Sequence, residues 1–100
     1  MLTLPIKKKW FDMIKSGEKK EEYREIKPYY DSRFKIYEPY LSDFESIIFR
    51  NGYRKDSPKI KCHCLIFKGT GKSEWGADPN KEYYVLKILR VEDVEEWMKK

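Results

Sequence analysis

Lys19, Glu22 and Arg24 place two cations and one carboxylate within six residues. The run Ser16-Gly17-Glu18-Lys19-Lys20-Glu21-Glu22-Tyr23-Arg24 holds Gly17, Lys19, Glu22 and Arg24 in the spacing G-x-K-x-x-E-x-R. A desolvated lysine beside another cation gives up its proton more readily, so Lys19 is a candidate base or nucleophile. Arg24 can hold a phosphate through two parallel hydrogen bonds. On a regular strand Glu22 and Arg24 project from one face and Lys19 from the other. Lys19 joins them only if the turn after Gly17, or a bulge, redirects it. The competing reading is a solvated face of surface ion pairs, which is what most charge runs are.

Other residues extend the binding reading. Lys20, Tyr23 and Arg24 on this run, with Arg50, Asn51, Tyr53 and Trp75 elsewhere, are the candidate substrate or RNA contacts. Tyrosine faces, Tyr29 and Tyr30 among them, offer stacking worth about 1–3 kcal/mol per base. Core packing is the alternative for at least half of the tyrosines. Trp10 falls on an apolar helical stripe and reads as core. Trp75 lies between Glu74 and Gly76 in a loop and reads as a cleft wall or a barrel plug. His63 is the chain's one histidine and reads as structural. No Ser-His-Asp set is legible. Gly69-Thr70-Gly71-Lys72-Ser73 is not a phosphate-binding P-loop, because Ile66 stands where that pattern needs glycine; it reads as a hairpin turn.

The elements that must position these groups follow from periodicity. Leu2–Leu4 suits a short strand, and Pro5 is expected to open a helix. Ile6, Trp10, Met13 and Ile14 keep helical spacing, which Gly17 closes. Glu and Lys over 18–25 favour helix locally, but the apolar stripe stops at Gly17, so a break is expected there. Pro28–Phe34 reads as a short helical turn and Glu45–Phe49 as a strand. Asn51-Gly52 signals a two-residue hairpin. Ile60, Cys62, Cys64 and Ile66 alternate along one strand face, Tyr83–Val91 is another strand, and Val94 with Trp97 belong to a last helical turn. Five strands with two or three short helices predict an α+β fold, a small mixed β-barrel.

Composition bounds the rest. The 100 residues make one domain, with a charged fraction of 39% against the usual quarter or so. The net charge is +5, concentrated in the middle. Arg50–Lys72 carries seven positive residues against one acid, Asp56, while Ser73 onward carries five against seven. A basic middle suits a polyanion on one face. Cys62, His63 and Cys64 are the only Cys and His, two ligands short of a zinc site. No metal and no cofactor are expected, and the cysteines read as small buried hydrophobes. Reduced thiols fit the cytosol. The apolar start of MLTLPIKKKW is too short for a signal peptide, and no segment reaches membrane-spanning length. A cytoplasmic protein with no membrane partner is the expectation.

The motif Gly17, Lys19, Glu22, Arg24, placed after a Pro-ended strand and a Trp- and Ile-bearing helix, resembles the signature of ASCH domains, relatives of the PUA fold. Phe49-Arg50-Asn51-Gly52-Tyr53 and Glu74-Trp75-Gly76-Ala77 look like features of a small bacterial or phage-type branch. The resemblance spans nearly the whole chain. It implies a five- or six-stranded PUA-like barrel with a cleft at the motif, and RNA-related or nucleotide-related work. Some ASCH-like proteins are ribonucleases, and others are amidohydrolases on acylated cytidine. In the amidohydrolase branch a Thr stands at the position of Glu22 and a second carboxylate takes part; this chain departs from that pattern. The resulting expectation is an RNA- or nucleotide-binding domain. The alternatives are a small hydrolase on RNA or modified nucleosides using Lys19 and Glu22, and a protein-interaction module.

Overall fold

A computed structural model describes residues 2–34 and 44–93 of the chain. Five strands and two helices run in the order β1 (Leu2–Pro5), α1 (Lys8–Ser16), β2 (Glu21–Glu25), α2 (Pro28–Phe34), β3 (Phe44–Arg50), β4 (Lys59–Thr70) and β5 (Glu82–Asp93), with a 3-10 turn at Ser73–Trp75. The strands form one mixed sheet in the order β1-β3-β4-β5-β2, in which β1 is parallel to β3 and every other pair is antiparallel. The sheet curls into a half-barrel. Its two edges, β1 and β2, approach closely enough for Arg24 Nη2 of β2 to donate to the Pro5 carbonyl of β1 at 2.8 Å. That seam carries Glu22 and Arg24.

The core fills the concave side. Leu4, Ile47, Phe49, Ile60, Cys62, Cys64, Ile66, Tyr84 and Leu86 point inward from the sheet, and Phe11, Ile14 and Phe34 close it from the helices. The alternation expected along Ile60–Ile66 is observed, with all four inward residues buried. Opposite the step from His63 to Cys64, the β5 partners jump from Arg90 to Ile88, leaving Leu89 as an extra residue. Such a bulge bends and twists the pair, which helps curl the sheet. No helix among the described residues is long and apolar enough to cross a membrane.

Three local expectations change. Pro5 ends β1 instead of opening the helix, which begins at Lys8. Ile6 N–H donates to the Arg50 carbonyl, so by alternation the Pro5 nitrogen points to the free edge, where a missing N–H costs nothing. Asn51-Gly52 does not form a two-residue hairpin, because Arg50 pairs with Lys59 and the loop runs over 51–58. A tight turn would set Phe49 opposite Arg54; the observed register sets it opposite Ile60, and Ile47 opposite Cys62, all four buried. Register follows the buried face over the local turn signal. Gly69 and Thr70 belong to β4, so the hairpin connection is the longer 71–81 segment. The break at Gly17 is as expected: its φ of +86° is left-handed and its N–H caps the Ile14 carbonyl. Val94 and Trp97 lie outside the described residues.

Candidate functional site

The motif folds into a buried ion triad. Gly17 reverses the chain at the end of α1, and Lys19 N–H then bonds back to the Met13 carbonyl at 2.9 Å. This turn aims the Lys19 side chain inward ahead of β2. Its ammonium lies 3.3 Å from Glu22 Oε1 and donates to the Trp75 carbonyl. The rings of Trp10 and Tyr23 flank it at 4.7 and 5.0 Å. Glu22 Oε2 accepts from Arg24 Nη2 at 2.7 Å, and Arg24 Nη1 donates to Tyr30 Oη at 3.0 Å. The side chains are 0%, 8% and 11% exposed for Lys19, Glu22 and Arg24, so this is a desolvated cluster and not a surface patch.

Two consequences follow from that burial. The three formal charges sum to one excess positive charge in a low-dielectric setting, where its field is weakly screened. Burial also drives the Lys19 ammonium below its ordinary pKa of 10.5; Glu22 opposes the shift and Arg24 reinforces it. Among the described residues no hydrogen-bond partner reaches the buried Arg24 Nε. Such groups are costly and rare in folded proteins.

Above the triad an open cleft of about 580 Å³ follows the seam. One wall is Glu22, Tyr23, Arg24 and Glu25 of β2. The other is Pro5, Ile6, Lys7 and Trp10 at the end of β1 and the start of α1. Lys27, Tyr30, Asn51, Gly52 and Tyr53 complete it. Tyr53 is 84% exposed at the rim. Tyr23 Oη donates to Glu21 Oε1 and accepts from Lys72 N–H, and burial followed by the Glu21 bond holds this phenol above its ordinary range, hence neutral.

The structure brings together Glu22, Tyr23, Arg24, Asn51 and Tyr53 on the cleft and sets four expected residues off it. Lys19 stands behind Glu22, sealed from the cleft. Lys20 is exposed before β2. Arg50 braces the 51–58 loop through Nε to the Gly52 carbonyl. Trp75 serves Lys19 through its backbone carbonyl, while its ring lies 4.7 Å from the Lys72 ammonium. Trp10, read as core, is half-buried and lines the cleft. Lys7 also lines the cleft, and no spacing rule in the sequence links it to β2, because the curl of the sheet brings the two edges together; Glu25 and Lys27 line it as the continuation of the motif strand. The basic run Arg50–Lys72 is not one surface. It extends along the 12 residues of β4, about 40 Å at strand rise, so Arg54 and Lys55 lie at the opposite end from Lys68 and Lys72.

Elsewhere, Cys62 and Cys64 are free, buried thiols. Burial pushes Cys64 up to about 12 and Cys62 higher still. His63 lies on the outer sheet face, between Ser46 Oγ at 3.2 Å and Arg90 Nη2 at 3.0 Å. No group of three His, Cys, Asp or Glu among the described residues is placed to hold a metal. Comparison with protein-family models, curated proteins and solved structures returns no match.

Proposed function

We propose that the chain is a PUA-like, ASCH-type domain that binds RNA or a nucleotide in the seam cleft. The observation that carries this reading is the desolvated Lys19–Glu22–Arg24 triad at the base of an open, aromatic-walled cleft. Its excess positive charge attracts an anion. Trp10, Tyr30 and Tyr53 line the same space, and bases of any identity stack on aromatic faces. Lys7 and Lys27, exposed on the same lining, are the cations that would meet flanking phosphates. The resemblance of Gly17, Lys19, Glu22 and Arg24 to the ASCH signature points the same way.

The hydrolase alternative loses its nucleophile in this arrangement. The Lys19 ammonium is held by Glu22 and the Trp75 carbonyl and has no face on the cleft. Lys19 is better read as a positioning residue that fixes the Glu22 carboxylate.

The test is a fluorescence-anisotropy titration of labelled hexauridylate, with uridine monophosphate as competitor, at 50 and 200 mM salt. Two phosphate contacts on a single strand predict an affinity loss of about sevenfold across that range. Failure to bind either probe at low salt overturns the reading.

A further inference from the structure

The free edge of β2 presents main-chain groups to the seam. Among the described residues the strand pairs with β5 alone and is the last in the sheet. Ile88 N–H bonds the Lys20 carbonyl, and the register runs without a shift from Glu21–Lys87 to Glu25–Tyr83. In an antiparallel ladder, residues alternate between exchanging bonds with the partner and pointing away from it. Glu22 and Arg24 therefore direct their N–H and C=O groups into the sheet. Glu21, Tyr23 and Glu25 direct theirs outward, into the seam.

Two independent observations put that edge in the cleft. Four consecutive residues, Glu22 to Glu25, line it. Side chains alternate faces along a strand, so a space that meets all four borders the strand's edge. The opposite edge strand is held at reach by Arg24 Nη2 on the Pro5 carbonyl, and a second strand does not fill the gap.

We infer that Tyr23, seconded by Glu25, hydrogen-bonds the Watson–Crick edge of a base through its backbone N–H and C=O. This rests on the nucleotide reading above and adds what recognises the ligand. One strand residue presents a donor and an acceptor side by side. Uracil and guanine offer the complementary acceptor and donor on adjacent atoms, as do cytosine and adenine with the order reversed. Unpaired bases are commonly read on this edge while their faces stack. Recognition then requires an open base edge and discriminates weakly among the four bases. A methyl group on N3 of uracil removes the donor and places carbon against the Tyr23 carbonyl.

The experiment is a titration of the full chain, labelled with nitrogen-15, with uridine 5′-monophosphate and separately with its N3-methyl analogue. The inference predicts that the Tyr23 and Glu25 amide signals move with the parent nucleotide, and that the analogue binds at least about tenfold more weakly, the cost of one unsatisfied group. Binding of both nucleotides with equal affinity, or binding that leaves the two amides unmoved, overturns the main-chain inference and leaves the cleft reading standing. Absence of shifts with either nucleotide at millimolar concentration overturns both.

Discussion

Glu22 is the member of the triad whose removal should cost most. It stands between two cations, 3.3 Å from the Lys19 ammonium and 2.7 Å from Arg24 Nη2, and is 8% exposed. In Glu22→Ala, Lys19 keeps the Trp75 carbonyl and two ring faces, and Arg24 keeps Pro5 and Tyr30, but neither keeps a counter-charge. Breaking a buried ion pair from one side typically costs about 3–5 kcal/mol. Domains of this size hold about 5–15 kcal/mol in total, so the loss is a large share of the whole. At about 4–8 °C per kcal/mol the midpoint should fall by at least about 12 °C. Thermal and urea denaturation followed by circular dichroism measure it. The triple variant Lys19→Met, Glu22→Leu, Arg24→Met should cost less than Glu22→Ala, because it leaves no bare charge behind. A loss of about 1 kcal/mol or less for Glu22→Ala, the range of surface pairs, would refute the buried-triad argument.

Burial lowers the Lys19 pKa, so below its folded value both states are protonated and the burial cost is present in full. Between that value and 10.5 the unfolded chain holds the extra proton and stability rises with pH. Urea titrations from pH 8 to 10.5 should show wild type gaining on Lys19→Met, and a steady difference would contradict this. A thiol reagent at pH 8 should leave Cys62 and Cys64 largely unlabelled in the native protein and label both in denaturant, since burial raises both thiols; rapid native labelling would contradict their placement. A Cβ on Gly71 would lie 2.5 Å from the Tyr23 ring and 2.7 Å from the Ala77 Cβ. Gly71→Ala should therefore lose about 1–3 kcal/mol in the same denaturation assay, with an unchanged midpoint as the contrary result.

The sequence was informative wherever periodicity and burial agreed. Alternation along Ile60–Ile66 named an inward face correctly, and the end of the apolar stripe at Gly17 outweighed helix-favouring Glu and Lys over 18–25. Local turn chemistry was less informative. Asn51-Gly52 signalled a tight hairpin, yet the match of Phe49 to Ile60 set the register. Within the site, i, i+2 spacing anticipated the Glu22–Arg24 contact, because one strand supplies both residues. Entry of Lys19 into the cluster depended on a left-handed Gly17, which spacing allows and does not require. The cleft itself was not legible. It exists because curling brings β1 and β2 together, which puts one side of Trp10, packed against the core as expected, on the cleft wall and leaves Trp75 contributing a carbonyl in place of a ring.

Whether the seam holds the ligand is decided by chemical-shift mapping of hexauridylate on the nitrogen-15-labelled chain at low salt. Perturbed amides are expected to cluster at Ile6–Trp10, Glu22–Tyr30 and Asn51–Tyr53, the segments that supply the cleft lining. Perturbations centred on the outer face of β4 and β5, around His63 and Arg90, or none at all, would contradict it.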